Sequence, residues 1–210
     1  MSKVETPMDF YMFLASVILV SISGVMAPGP LFAVTVAKGS KNKIAGVLIA
    51  LGHGVIEFPL MFLIYFGFAW VFAESLAQKS ISLVGGLILL YMGFQMLKTE
   101  RKYDLEVSYS RYGSIVAGIL ATGANPYFLL WWATIGAALI VSASAFGFVG
   151  FLVFAVLHWS CDLFWSTFVT FTVFKSRRFW TEKVRMLVFG FCIIILLGFG
   201  VWFVISALLL

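Results

Sequence analysis

Six long apolar runs separated by short polar stretches account for almost all of the chain: about residues 10–37, 44–72, 80–97, 113–140, 145–174 and 184–209. A helix needs roughly 20 apolar residues to cross a bilayer, so this pattern predicts six membrane-spanning helices. No polar connection exceeds about 15 residues, which predicts a single all-α membrane domain over residues 1–210 rather than a membrane anchor with a soluble partner domain. Polar side chains within the runs are few and unevenly placed. Both histidines of the chain lie inside apolar runs, and each is followed four residues later by a carboxylate, giving the pairs His53/Glu57 and His158/Asp162. At this spacing the members of a pair share one helix face. An acidic residue at the centre of a spanning helix costs roughly 2.5–3.5 kcal/mol, so two of them require interior partners or a function. These four residues are the first candidates for the functional site.

Composition agrees with the pattern. The chain is 62% hydrophobic, 18% aromatic and 11% charged, with a mean hydropathy of +1.07, well outside the range of soluble domains. The first run is too long for a secretory leader and is interrupted by Pro28-Gly29-Pro30, so it reads as a retained helix. Twelve of the fourteen basic residues fall in the first, third and fifth connections, and only Lys3 and Lys79 fall elsewhere. By the positive-inside rule those three connections are cytoplasmic and both termini are outside the cell membrane. The net charge of +5 is this bias, with no implication of nucleic-acid binding. Cys161 and Cys192 lie in apolar runs without metal-type spacing and read as inert buried thiols.

The chain divides into halves. Repeat one covers about 10–97, a cytoplasmic loop about 98–112, and repeat two about 113–209. Each half opens with a proline-broken run, at Pro28-Gly29-Pro30 and at Asn125-Pro126, followed by a run carrying His-x3-acid, and the two histidines are 105 residues apart. Three spans per half force the second half to enter from the opposite face, the inverted-repeat plan of many secondary transporters. Proline deletes a backbone donor and displaces the carbonyl four residues back, which predicts freed carbonyls at Thr122 and Val55, the latter opposite Pro59. Two prolines within three residues predict a true interruption at 28–30, leaving free amides and a positive dipole end on the following half-helix.

The segment Gly24-Val25-Met26-Ala27-Pro28-Gly29-Pro30, a basic connection with Ala45-Gly46, then Gly52 and Glu57, and Asn125-Pro126 in the fourth run together resemble the LysE/RhtB family of amino-acid exporters. The likeness covers the length and six-span layout. It implies export of small amino acids or related metabolites driven by protons or membrane potential, with Pro28, Gly29, Pro30, Glu57, Asn125 and Pro126 at motif positions. Glu57 stands where the family commonly has Asp.

From the residues, Glu57 and Asp162 are expected near the midplane to bind a substrate ammonium, with amides freed around Pro28–Pro30 or near Asn125 taking its carboxylate and His53 and His158 relaying protons. An alternative cargo is a divalent metal held by His53, Glu57, His158 and Asp162. An intramembrane hydrolase is disfavoured because His-Glu-x-x-His and Gly-x-Ser-x-Gly are missing, so no enzyme is expected. A scaffold in which the pairs merely clamp helices remains the bland reading. Gly85-Gly86 and Gly93 predict close helix packing. Trp131, Trp132 and Trp159, beside the Asn-Pro break or His158, read first as packing, and Trp70 and Trp180 as interface anchors. The mixed-charge stretch Glu100–Ser110 predicts an exposed loop, and nothing suggests a nucleotide or other cofactor. The lipid bilayer is the surrounding partner, and monomer and homodimer are both open.

Overall fold

The computed structural model describes residues 9–68, 75–101 and 113–209. Lys3, Trp70, Lys102, Arg111 and most of the Glu100–Ser110 loop lie outside the described residues. The described chain is all helical. Asp9 caps α1 (Phe10–Val25), its carboxylate accepting from the Tyr11 amide at 3.3 Å. As the two prolines predict, the first run breaks after α1, and α2 (Pro30–Gly39) departs at 75° from it. The second run forms α3 (Ala45–Tyr65), which continues through Pro59, so that proline sits in an unbroken helix. The third run lies within α4 (Ser75–Arg101), longer at both ends than its apolar stretch.

The fourth run is divided into α5 (Ser114–Gly123), α6 (Pro126–Trp131), a π-turn over Trp132–Gly136 and α7 (Ala137–Ser144). Here one expectation is corrected. The Thr122 carbonyl is not left free, because the chain turns at Ala124 and the Asn125 amide donates to it at 3.1 Å. The fifth and sixth runs form α8 (Gly147–Ser176) and α9 (Glu182–Leu209), joined by a short 3₁₀ turn at Arg177–Phe179. Among the described residues, four helices are long and apolar enough to span a bilayer, or five if α1 and α2 count as one bent span. The third and fourth runs add the shorter apolar helices Gln78–Phe94 and Ser114–Gly123. The molecule is a multi-pass membrane protein.

Glycine sets the closest helix contacts, as small residues do where packing rather than water drives association. A Cβ on Gly52 would collide with the Ile115 carbonyl, and one on Gly118 with the Ile49 carbonyl, so α3 and α5 touch backbone to backbone. Gly85 meets the Ala124 backbone, Gly86 the Gly200 carbonyl, and Gly93 the Leu197 side chain, as expected from the sequence. The α4–α9 contacts run in opposite chain directions, so these helices are antiparallel. The same holds for α3 and α8, where Gly46 approaches Ser166 while Glu57 approaches His158.

Two apolar cores result. One gathers Ala33, Ile49, Leu89, Met96, Ala121 and Leu196 from α2, α3, α4, α5 and α9. The other gathers Phe13, Leu60, Met61, Trp132, Phe151 and Phe154 from α1, α3, the π-turn and α8. Along α3 the order is Ile49, His53, Glu57, Leu60; along α8 it is Phe154, His158, Asp162, Val169. Each His/acid pair therefore separates the two cores, and the antiparallel crossing lays the pairs side by side.

Candidate functional site

The four polar residues form one cluster at that crossing. His53, Glu57, His158 and Asp162 are 3%, 1%, 4% and 5% exposed. His53 Nε2 donates to Glu57 Oε1 at 2.9 Å and lies 3.5 Å from Asp162 Oδ1. His158 Nε2 lies 3.4 Å from Glu57 Oε1 and 3.7 Å from Asp162 Oδ2. Each imidazole thus faces both carboxylates, one from its own helix and one from the other. Imidazole donors so placed offset part of the desolvation that would otherwise exclude acids from this depth.

The other nitrogen of each ring is held by a hydroxyl from a different helix. Thr122 of α5 lies 2.8 Å from His53 Nδ1, and Ser21 of α1 lies 2.7 Å from His158 Nδ1. With Nε2 protonated toward the carboxylates, each hydroxyl donates to Nδ1 and fixes that tautomer. Sequence reading missed both residues. Ser21 has Ser23 as a near neighbour of the same type, but Ser23 is exposed and donates to its own helix at Val20, and no local pattern tells the two apart.

A cavity of about 410 Å³ opens on this cluster. Of the residues singled out in the sequence, His53, Glu57, His158, Asp162, Pro28, Gly29, Pro30 and Asn125 line it, whereas Pro126 is buried behind the lining at the start of α6. The two breaks differ in what they offer. At Asn125 the side-chain oxygen accepts from the Tyr127 amide at 3.1 Å and the carbonyl accepts from Phe128 at 3.1 Å, so that helix end is capped from within. At Gly29 there is no side-chain cap, Pro30 has no amide, and the first helical bond is Ala33 to Gly29. The Leu31 and Phe32 amides therefore lack an acceptor among the described residues, at the edge of the cavity.

Among the buried side-chain atoms without a hydrogen-bond partner, the hydroxyls of Thr167 and Thr170 lie outside the lining, and three belong to residues that line this cavity: Glu57 Oε2, Asp162 Oδ2 and Trp165 Nε1. Two are acceptors and one is a donor. Aromatic rings enclose them. Trp131 and Trp132 lie 5.4 and 4.9 Å from the His158 ring and Phe128 lies 5.2 Å from His53. Consecutive residues on an α-helix point about 100° apart, and the π-turn that begins at Trp132 lets both indoles meet one imidazole. Trp159 instead ties α8 to α3, its indole donating to the Ala50 carbonyl at 3.0 Å.

Ligand atoms of His53, Glu57 and Asp162 lie within 4.8 Å of one another, close enough to consider a cation. Cys161 and Cys192 form no disulfide; Cys192 is buried as expected, whereas Cys161 is only half-buried, its thiol donating to the Leu157 carbonyl of its own helix.

Comparison with known proteins gives one match. A family model described as LysE type translocator matches residues 22–207. No curated protein and no solved structure matches. The matched span contains both proline breaks and all four residues of the buried cluster, and nothing in it supports a metal ion as the cargo.

Proposed function

The chain belongs to the LysE type translocator family, and from that premise we propose that it is a secondary transporter exporting amino acids or closely related metabolites across the cell membrane. The observation that carries this reading is the meeting, along one cavity, of carboxylate oxygens on Glu57 and Asp162 that lack a hydrogen-bond partner with the uncapped amide end of α2. An amino acid presents the complementary pair of groups. Its ammonium takes Glu57 Oε2 and Asp162 Oδ2, and its carboxylate takes the Leu31 and Phe32 amides, where the helix dipole favours an anion. The capped end at Asn125 serves to shape the wall.

His53 and His158 couple the site to protons, since each shares its Nε2 proton with the carboxylates that the ammonium must reach. Binding of the ammonium competes with the imidazoles for Glu57 and Asp162, and that competition links substrate to proton. The α1–α2 and α5–α7 runs, with α4, complete six spans in two inverted halves, with both termini outside, and the halves rock about the site. The antiparallel crossings of α3 with α8 and α4 with α9 support this plan.

Counterflow of labelled amino acids in proteoliposomes tests the proposal. Glu57→Gln with Asp162→Asn should abolish counterflow while the purified protein keeps its helix content. Undiminished flux through the double amide would refute the site. Flux of divalent metal in place of amino acid would refute the cargo.

A further inference from the structure

We propose that the cavity selects neutral amino acids with large apolar side chains, branched or aromatic, and that the Trp165 indole is a specificity-determining donor to their carboxylate. This rests on the exporter reading above and adds the side-chain class. Every aspartate, glutamate, histidine, lysine or arginine side chain lining the cavity belongs to the single cluster of His53, Glu57, His158 and Asp162. Once the substrate ammonium occupies the two carboxylate oxygens that lack a hydrogen-bond partner, no further acid remains for a basic side chain and no base for an acidic one. The rest of the wall is mostly apolar, with Leu31, Trp131, Val169, Phe199 and Trp202 among its residues, and its remaining polar side chains, Ser21, Thr35, Asn125, Tyr127 and Ser166, carry no full charge at neutral pH. Glycine or alanine would leave most of the roughly 410 Å³ in contact with nothing it can bond. A large apolar side chain covers that wall, and burying one is worth enough to raise affinity ten-fold or more.

Trp165 supplies the second, independent observation. Its Nε1 is buried without an acceptor, and an indole N–H can only donate. It stands three residues after Asp162 on α8, hence on the same face and about 4.5 Å further along the axis. Both residues line the cavity, so an indole donor and a carboxylate acceptor are presented from the same face of α8, one turn apart. The α2 amides, also donors, line the same cavity. The Trp165 donor has no hydrogen-bond acceptor among the described residues, and a substrate carboxylate would supply one.

Equilibrium binding to the purified full-length protein decides the matter, with glycine, alanine, serine, lysine, glutamate, leucine, phenylalanine and tryptophan as probes and phenethylamine as the probe lacking a carboxylate. Leucine, phenylalanine and tryptophan should bind at least ten-fold tighter than glycine, alanine or serine, with lysine and glutamate weakest. Trp165→Phe, which keeps the ring and removes the donor, should weaken phenylalanine about ten-fold and leave phenethylamine unchanged, with the unfolding midpoint retained. Tightest binding by lysine or by a small amino acid, still lost in the double amide, overturns the side-chain class and leaves the exporter reading standing. Equal losses for phenylalanine and phenethylamine overturn the role of Trp165. Absence of binding by every amino acid to folded protein removes the exporter reading and this inference with it.

Discussion

Ser21 and Thr122 show what single residues contribute to the site. Neither touches a carboxylate, yet each closes the hydrogen bonding of an imidazole that does. Removing a hydroxyl strands a buried ring nitrogen, at a cost of about 1–3 kcal/mol. Ser21→Ala and Thr122→Val are therefore expected to lower the unfolding temperature and to cut counterflow several-fold, with Ser21→Thr restoring both. A merely structural role predicts the stability loss with an unaltered pH profile of flux. A positioning role shifts that profile, because the tautomer of the imidazole is no longer held. Asn125 acts at the same scale and is legible in the sequence, since Asn before Pro is a common helix start. Its replacement by Ala should cost about 1 kcal/mol through loss of the cap on Tyr127.

Among the elements, the half-helix α2 and the glycine contacts of α3 matter most. Pro28-Gly29-Pro30 ends α1 and begins α2 without a side-chain cap, and the break is what leaves amides free at the cavity. Pro28→Ala with Pro30→Ala supplies the missing donors and relieves the clash, favouring one continuous helix. We expect flux to fall by ten-fold or more while helix content is unchanged or rises, read by counterflow and circular dichroism. Gly52 and Gly118 each face a carbonyl of the neighbouring helix. Alanine at either is expected to cost about 1–3 kcal/mol, whereas Gly190→Ala and Gly198→Ala, which meet open space, should be neutral. Thermal unfolding of the four variants in detergent checks this, and equal effects at all four would remove the close-approach argument. The structure also parts Pro59 from Pro126: the first is carried within α3 and the second starts α6. Proline alone does not say which outcome a helix will adopt, because neighbouring helices decide whether the freed groups find partners.

At the scale of the molecule, two apolar cores flank one polar layer, and α3 and α8 cross that layer in opposite directions. Contacts across the halves are not confined to the site. Arg177, after α8, donates to the Ser40 carbonyl at the end of α2 at 2.6 Å while its guanidinium lies 3.8 Å from the Phe174 ring centre. The basic first and fifth connections thus meet at one end of the bundle, as an inverted arrangement with those connections cytoplasmic requires. Single cysteines at Lys41 and at Ala145, in a Cys161→Ala, Cys192→Ala background, should be labelled by a membrane-impermeant maleimide from opposite faces in intact cells and inverted vesicles. Labelling from one face would end the proposed topology.

Hydropathy was enough to establish a helical membrane protein, and the spacing of His53/Glu57 and His158/Asp162 was enough to single out the four residues of the buried polar cluster, because periodicity and insertion cost are local properties of a segment. The break at Pro28–Pro30 was legible for the same reason. Tertiary structure alone decided that the two pairs share one site, that Ser21 and Thr122 complete it, and that the free amides lie at α2 while Asn125 caps its own helix. These contacts join residues as far as 137 positions apart in the chain. Which of several similar hydroxyls or indoles reaches such a partner depends on helix crossings set by glycine contacts and core packing, and no short stretch of sequence encodes that.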